Sequence, residues 1–123
     1  MERIETTALK NLIHNEEYCR KVLPFIKEEY FTDRLEKLLF TEIYKFVNKY
    51  NNLPTKESLS IEINGNRSIN EDEYKKITDI LSTLNPEPIN LEWLVETTET
   101  FCKDRAIHNA ILGGIQILDG KDK

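Results

Sequence analysis

Hydrophobic residues recur at three- and four-residue intervals along almost the whole chain, which is the spacing of one face of an α-helix. The clearest example covers about 33–51, and shorter helices of the same period are predicted over 4–14, 15–24 and 55–63. In the helix predicted over about 33–51, the apolar stripe is wide enough to face a core. It consists of Leu35, Leu38, Leu39, Ile43, Phe46, Val47 and Tyr50. The pattern therefore predicts an all-α fold.

Polar residues mark where these helices begin and end. Asn15 and Asp33 are suited to cap helices, because their side-chain oxygens can accept the free amides of a first helical turn. Asn70 with Glu73 resembles a capping box, although Asn replaces the usual Ser or Thr. Residues 61–63 alternate like a strand, but so short a stretch is not expected to form a sheet.

The last part of the chain is predicted to be a helical hairpin. Its first arm begins at Asn70, and residues 85–88 form a proline-rich connection that neither helix can enter easily. Its second arm could extend from Asn90 to Leu118, about 43 Å if unbroken. The predicted organisation is a globular helical bundle over 1–68, a hairpin used for assembly over 69–119, and a polar end or start of a linker over 120–123.

The second arm has more apolar positions than one helix face can hold, and beyond Ala106 little polar face remains. A helix that is apolar nearly all round is buried on all sides, so part of this arm is expected to contact something outside the chain. The alternative is a kink at Gly113-Gly114 that folds the end back on the core. The expected subunit interface consists of Leu94, Val95, Phe101, Ile107, Ile111, Ile115 and Leu118.

Composition narrows the class of protein. Apolar residues make up 39% and charged residues 32% of the 123 residues, which is typical of a globular domain. No apolar run approaches the ~20 residues of a bilayer span, and the start lacks the features of a signal peptide, so a cytoplasmic location is expected. The net charge of −5, with alternating signs, favours solvated helix faces over a groove for DNA.

The sequence offers no catalytic, cofactor or metal site. Cys19 and Cys102 form no zinc-binding pair, and a disulfide between them is the minority interpretation for a cytosolic protein. Cys102 and His108 lie on opposite sides of one helix and cannot form a nucleophilic pair. The nearest approach to a phosphate-binding loop, Gly114 with Gly120-Lys121, has the wrong spacing, and Asp122 replaces the hydroxyl residue.

Several blocks of the chain nevertheless resemble the N-terminal domain of T4-type phage replicative helicases, which belong to the DnaB-like class. They are Val22-Leu23-Pro24-Phe25-Ile26, Glu29-Tyr30-Phe31 and Trp93-Leu94-Val95, with Phe40, Ile43, Val47 and Tyr50 between them, Leu53-Pro54-Thr55 and Leu59 after these, and Arg105-Ala106 and Asn109-Ala110 near the end. The similarity extends from the first helix to about Ala110 and includes no catalytic signature.

This resemblance implies a collar domain, in which helical hairpins pair between subunits to form a dimer or a hexameric ring. The collar would dock primase and a helicase loader, and DNA would be contacted only through the full-length ring. ATP and Mg²⁺ would bind only in a downstream motor domain, so the fragment would not be an enzyme, whereas its parent would be an ATP-dependent 5′–3′ helicase. A free-standing collar-like protein is the alternative to such a fragment.

Two other functions remain open at this stage. The chain could be the helicase-binding domain of a primase or a helicase loader, which would bind a helicase but show little self-pairing. A remote alternative is a small helical enzyme that acts on nucleic acid through its clustered acidic residues, although the sequence shows no metal-ligand constellation to support it.

Overall fold

The computed structural model describes residues 3–116 and consists of helices and their connections, with no strand within that range. The predicted all-α fold class is confirmed, and residues 61–63 lie inside a helix. The elements are α1 (Ile4–His14), α2 (Glu16–Val22), a 3-10 turn (Glu28–Tyr30), α3 (Arg34–Tyr50), α4 (Lys56–Asn64), α5 (Glu71–Thr83) and α6 (Leu91–Gln116). None of these helices combines the length and the apolarity needed to cross a membrane.

Side-chain caps set the starts of five helices, the last of which is α6, where the side-chain oxygen of Asn90 accepts a hydrogen bond from the backbone amide of Trp93. Asn15 accepts a hydrogen bond from the first turn of α2, and Asp33 accepts two from the first turn of α3. Thr55 begins α4 with a capping box, and Asn70 and Glu73 form a second box at the start of α5. Because these caps satisfy amides that have no partner within the helix, the helices begin where the sequence predicted.

All six helices contribute to a single apolar core. The corner between α2 and α3 (residues 23–31) inserts the fully buried ring of Phe31, which stacks on Phe40 with ring centroids 5.0 Å apart. The side chains of Ile26, Tyr30 and Phe31 in this corner are all buried in the core. The other large buried side chains include Leu9, Leu12, Tyr18, Val22, Leu39, Ile43, Leu59, Ile63, Ile77, Leu81, Leu84 and Leu94.

The last two helices are arranged differently from the predicted hairpin. Helix α5 packs against α3 and α4, whereas α6 packs against α1, α2 and the 3-10 turn. The connection between them contributes the buried Leu84, whose carbonyl oxygen lies 2.7 Å from Nε2 of His14. Glu87 of the same connection pairs with Lys10 of α1. The connection is thus held on α1, and both helices share one core with residues 1–68.

A buried hydrogen bond joins α2 to α6. The hydroxyl oxygens of Tyr18 and Thr98 lie 2.7 Å apart, and both side chains are fully buried. Thr98 donates its proton to the carbonyl oxygen of Leu94 at 2.8 Å, so Tyr18 is the donor of the pair. Burial raises the pKa of Tyr18 far above its usual range, and its hydroxyl stays protonated.

We expect Tyr18→Phe to lower the free energy of unfolding by about 1 kcal/mol, because the Thr98 oxygen loses the Tyr18 donor while the ring remains packed. Equilibrium unfolding in urea measures the change. Tyr50→Phe is the matched control, since Tyr50 is 48% exposed, and it should leave the stability unaltered. Equal losses in the two variants would contradict a stabilising role for the buried bond.

Candidate functional site

Helix α6 is only partly covered by the core. It has 26 residues and is therefore about 39 Å long. Leu94, Thr98 and Cys102 are buried against the rest of the domain, at successive four-residue steps. Within the described residues, the last polar contact of α6 with the rest of the domain is a hydrogen bond of 3.3 Å from Nδ2 of Asn109 to the carbonyl oxygen of the exposed Glu29. Beyond this contact, the helix projects from the domain.

The C-terminal part of α6, around and beyond this contact, exposes large apolar side chains. We call residues 107–112 the α6 tip. Ile107 is 59% exposed, Ile111 is 56% exposed and Leu112 is 46% exposed. Between residues 106 and 116 the sequence contains no Asp, Glu, Lys or Arg. An apolar surface without charges costs free energy in water, and such patches on soluble proteins mark interaction sites. The α6 tip is therefore the candidate functional site.

The residues expected at a subunit interface divide into two groups. Leu94 is fully buried in the chain's own core, so it has no exposed surface to offer a second subunit in this conformation. Val95 and Phe101 are half-buried against the same core, and the Phe101 ring meets Phe31 edge-on with centroids 6.4 Å apart. These three positions match an apolar interface pattern, but within this chain they hold α6 on the domain.

The second group lies on the C-terminal part of α6. Ile107 and Ile111 are exposed side by side, one helical turn apart. Ile115 also belongs to α6, and Leu118 lies outside the described residues, as does the polar end over 120–123. Of the residues expected at the interface, the structure thus places Ile107 and Ile111 at the surface.

Helix α6 continues through Gly113-Gly114 to Gln116. The alternative interpretation of the sequence, a kink at Gly113-Gly114 that folds the end of the helix back on the core, is therefore not observed up to Gln116. A Cβ atom at either glycine would meet nothing within 4 Å, apart from the helix backbone itself. This part of the helix is surrounded by open space, so the core of its own chain does not cover it.

A second surface feature, which the sequence analysis missed, is a groove between the corner and α3 that is mainly apolar at one end and half polar at the other. We call it the α3 groove. Its first depression, of about 240 Å³, is lined mainly by Leu23, Pro24, Ile26, Phe40 and Tyr44. Its second depression, of about 370 Å³, is lined by Cys19, Arg20, Leu23, Pro24, Tyr44, Val47, Asn48 and Asn51. The signal in the sequence was a second stripe on α3, with Phe40, Tyr44 and Val47 at helical spacing.

The two cysteines are free and buried. Burial raises the pKa of the Cys19 thiol to about 11 and that of the Cys102 thiol to about 12. Both thiols are therefore protonated at neutral pH, unlike the thiolate of a nucleophilic cysteine. His108 is exposed on α6, and among residues 3–116 no three His, Cys, Asp or Glu side chains are grouped as metal ligands would be.

Comparison with known proteins adds one relative. Over 109 residues the chain is 34% identical to the DnaB-like replicative helicase of Enterobacteria phage T4. The predicted resemblance to a DnaB-like replicative helicase is confirmed. The matched region covers 89% of this chain and 23% of that protein, so the chain spans about a quarter of the length of its relative. No protein-family model matches the chain.

The raised pKa values of the buried thiols predict a loss of stability in alkali. Unfolded thiols ionise near pH 9, whereas the folded ones keep their protons to about pH 11 and 12. The folded state therefore binds more protons in this interval, and the free energy of unfolding should fall as the pH rises from 9 towards 11. The expected slope is up to about 1.4 kcal/mol per pH unit for each thiol.

Urea unfolding at a series of alkaline pH values measures this slope. The double variant Cys19→Ala/Cys102→Ala is the control, since it removes both thiols and leaves the other titrating groups in place. Its slope above pH 9 should be clearly smaller, whatever its stability at neutral pH. The same slope in both proteins would show that the thiols are not the cause.

Proposed function

We propose that this chain is a collar domain of a hexameric replicative DNA helicase, through which the subunits assemble. The observation that carries the proposal is the α6 tip, where Ile107 and Ile111 are more than half exposed on a helix segment without charges. The similarity to a DnaB-like replicative helicase supports the replicative setting. We also propose, as part of the same function, that the whole ring is an active DNA helicase.

The physical driving force for assembly is the burial of the tip. Fully burying an Ile or Leu side chain stabilises a complex by about 1.5–3 kcal/mol, and the tip offers three such side chains that are about half exposed. A helix face of this kind is covered when it packs against another helix or enters a groove. Subunit association is the simplest way to cover it in a homo-oligomeric ring.

The charges of the domain support an assembly role rather than direct contact with DNA. Arg3, Arg20 and Arg34 each place a guanidinium nitrogen 2.8 Å from a glutamate oxygen of this chain. The Arg34 guanidinium also lowers the pKa of the Glu73 carboxyl. Cations that are paired in this way are less available to neutralise phosphates. DNA contact, ATP and Mg²⁺ are therefore proposed for a motor domain of the parent helicase, an ATP-dependent 5′–3′ enzyme.

Docking of primase, and of a helicase loader, is the second part of the proposal. It follows from the resemblance to DnaB-like replicative helicases. A helicase-binding domain of a primase or loader would share the fold but would remain a monomer. Self-association is thus the measurement that separates the collar from this alternative.

We expect the isolated chain to associate in the micromolar to millimolar range without nucleotide and to hydrolyse no ATP. Ile111→Asp should weaken association at least about tenfold, because a charge would have to be buried in the contact. Sedimentation equilibrium of the two proteins measures the effect. Ile61→Asp is the matched control, since Ile61 is 71% exposed on α4, away from the tip.

A strictly monomeric wild-type chain throughout that range would contradict the collar and favour the helicase-binding alternative. Equal weakening by Ile61→Asp and Ile111→Asp would show that any added charge disturbs association, and the tip would lose its special role. Circular dichroism of each variant establishes that the comparison is between folded proteins.

A further inference from the structure

We propose that Arg105 anchors a docking surface for a partner protein, which binds through an acidic segment that also carries an apolar side chain. The inference goes beyond the proposed function, because it concerns the opposite face of α6 from Ile107 and Ile111 and requires no second copy of the chain. We call this face, formed by Arg105, Asn109 and Leu112, the Arg105 face.

An unpartnered nitrogen distinguishes Arg105 from the other polar groups of the domain. Its Nε atom is shielded from solvent and has no hydrogen-bond partner, and it is the one buried side-chain nitrogen or oxygen of residues 3–116 in this condition. Arg105 also forms no ion pair within that range, although Glu28 and Glu29 belong to the adjoining 3-10 turn. A buried donor without an acceptor destabilises the fold. The guanidinium therefore has a strong hydrogen bond to offer to an acceptor from outside the described chain.

The position of Arg105 on the helix separates it from the exposed isoleucines. Successive residues of an α-helix are rotated by about 100°, so Arg105 and Leu112, seven positions apart, share one face. Asn109 lies between them and donates its hydrogen bond to Glu29, so this face is turned towards the 3-10 turn. Ile107 is rotated by about 200° from Arg105 and lies on the far side. The two faces of α6 can therefore be occupied independently.

The surroundings of Arg105 favour a carboxylate that is accompanied by an apolar group. From residue 105 to residue 116, Arg105 is the only side chain with a formal charge, so no residue of this segment neutralises or repels an incoming acid. Leu112, two turns further along the same face, is 46% exposed. A guanidinium binds a carboxylate through two parallel hydrogen bonds, and the leucine can bury an apolar side chain of the same segment.

A phosphate of nucleic acid is the other anion that a guanidinium could bind. Binding to a nucleic-acid backbone depends on several cations that act together, whereas Arg105 is the single cation of its face. The neighbouring Leu112 offers a phosphate backbone nothing, because its side chain is apolar. An acidic protein segment therefore matches this face better than a nucleic acid does.

The spacing of the two anchors limits the sequence of the partner. Seven residues of helix separate the α-carbons of Arg105 and Leu112 by about 10 Å. Three residues of an extended segment cover the same distance. An extended partner that carries a carboxylate and, three positions later, a leucine would therefore reach both anchors at once.

A peptide titration tests the inference. The probe is acetyl-Gly-Ser-Glu-Ser-Ser-Leu-Ser-Gly-amide, and the host is the Ile107→Ser/Ile111→Ser variant, which removes the apolar assembly face without adding a charge. We expect a dissociation constant of about 1 mM or lower and a shift of the Arg105 Nε–H signal in nitrogen-15 NMR spectra. The same peptide with Gln in place of Glu should bind at least about fivefold more weakly, because it lacks the carboxylate.

Two substitutions in the host separate the guanidinium from the fold. Arg105→Met keeps an apolar stem and removes the guanidinium, so it should weaken peptide binding at least about fivefold. Because the buried Nε has no partner in the domain, this variant should unfold at an equal or higher urea concentration. Lys103→Met is the matched control, since it removes an exposed cation of α6 that lies on a different face, and it should leave binding unchanged.

Four results would overturn the inference. The first is no shift of the Arg105 signal up to about 10 mM peptide, and the second is equal binding by Arg105→Met and Lys103→Met. The third is a lower urea midpoint for Arg105→Met, which would show that the guanidinium is bonded within the domain. The fourth is Arg105-dependent binding of a thymidylate octamer in place of the peptide, which would assign the face to nucleic acid. None of these results depends on self-association, so the proposed function is tested separately.

Discussion

The burial of one stripe of α6 against α1 and α2 is the contact on which the other features of this domain depend. Leu94, Thr98 and Cys102 complete the core, and the buried bond from Tyr18 to Thr98 fixes the rotation of the helix about its axis. Because the rotation is fixed and the helix is longer than the core beneath it, Ile107 and Ile111 must lie in solvent. The same packing thus stabilises the monomer and exposes the surface proposed for assembly.

The corner between α2 and α3 serves two sides of the domain. Phe31 points into the core, while Phe25 and Tyr30 border α6. Leu23 and Pro24 face the other way and form a wall of the α3 groove. A short segment without regular helix can do this because its side chains are not confined to one helical stripe. It therefore lies between the α6 tip and the α3 groove of the same chain.

Two buried carboxylates orient α3 within the bundle. Glu36 is bound by the guanidinium of Arg3 through two contacts of 2.8 and 3.0 Å. Glu42 accepts a hydrogen bond of 2.9 Å from Asn66, in the turn between α4 and α5. A buried carboxylate without such partners would be strongly destabilising. These bonds therefore tie the start of α1 and the turn before α5 to one helix.

The local pattern of the sequence was sufficient for the helices but not for their neighbours. Helix boundaries were predictable because Asn15, Asp33 and Asn70 cap through bonds to residues close by in the chain. The pairing of α5 with α6 was an inference from adjacency. Burial of Leu84 and the Lys10–Glu87 pair hold the connection on α1, and such long-range contacts leave no periodic signal.

The same division applies to the candidate site. The sequence alone determined that the last helix has too many apolar positions for one face, since that depends only on residue type and helical period. Only the tertiary structure decided which of these positions remain exposed, because Leu94 is buried in the core whereas Ile107 and Ile111 are not covered by it. The α3 groove depends on the tertiary structure as well, because a concave surface exists only when the corner and α3 are brought side by side.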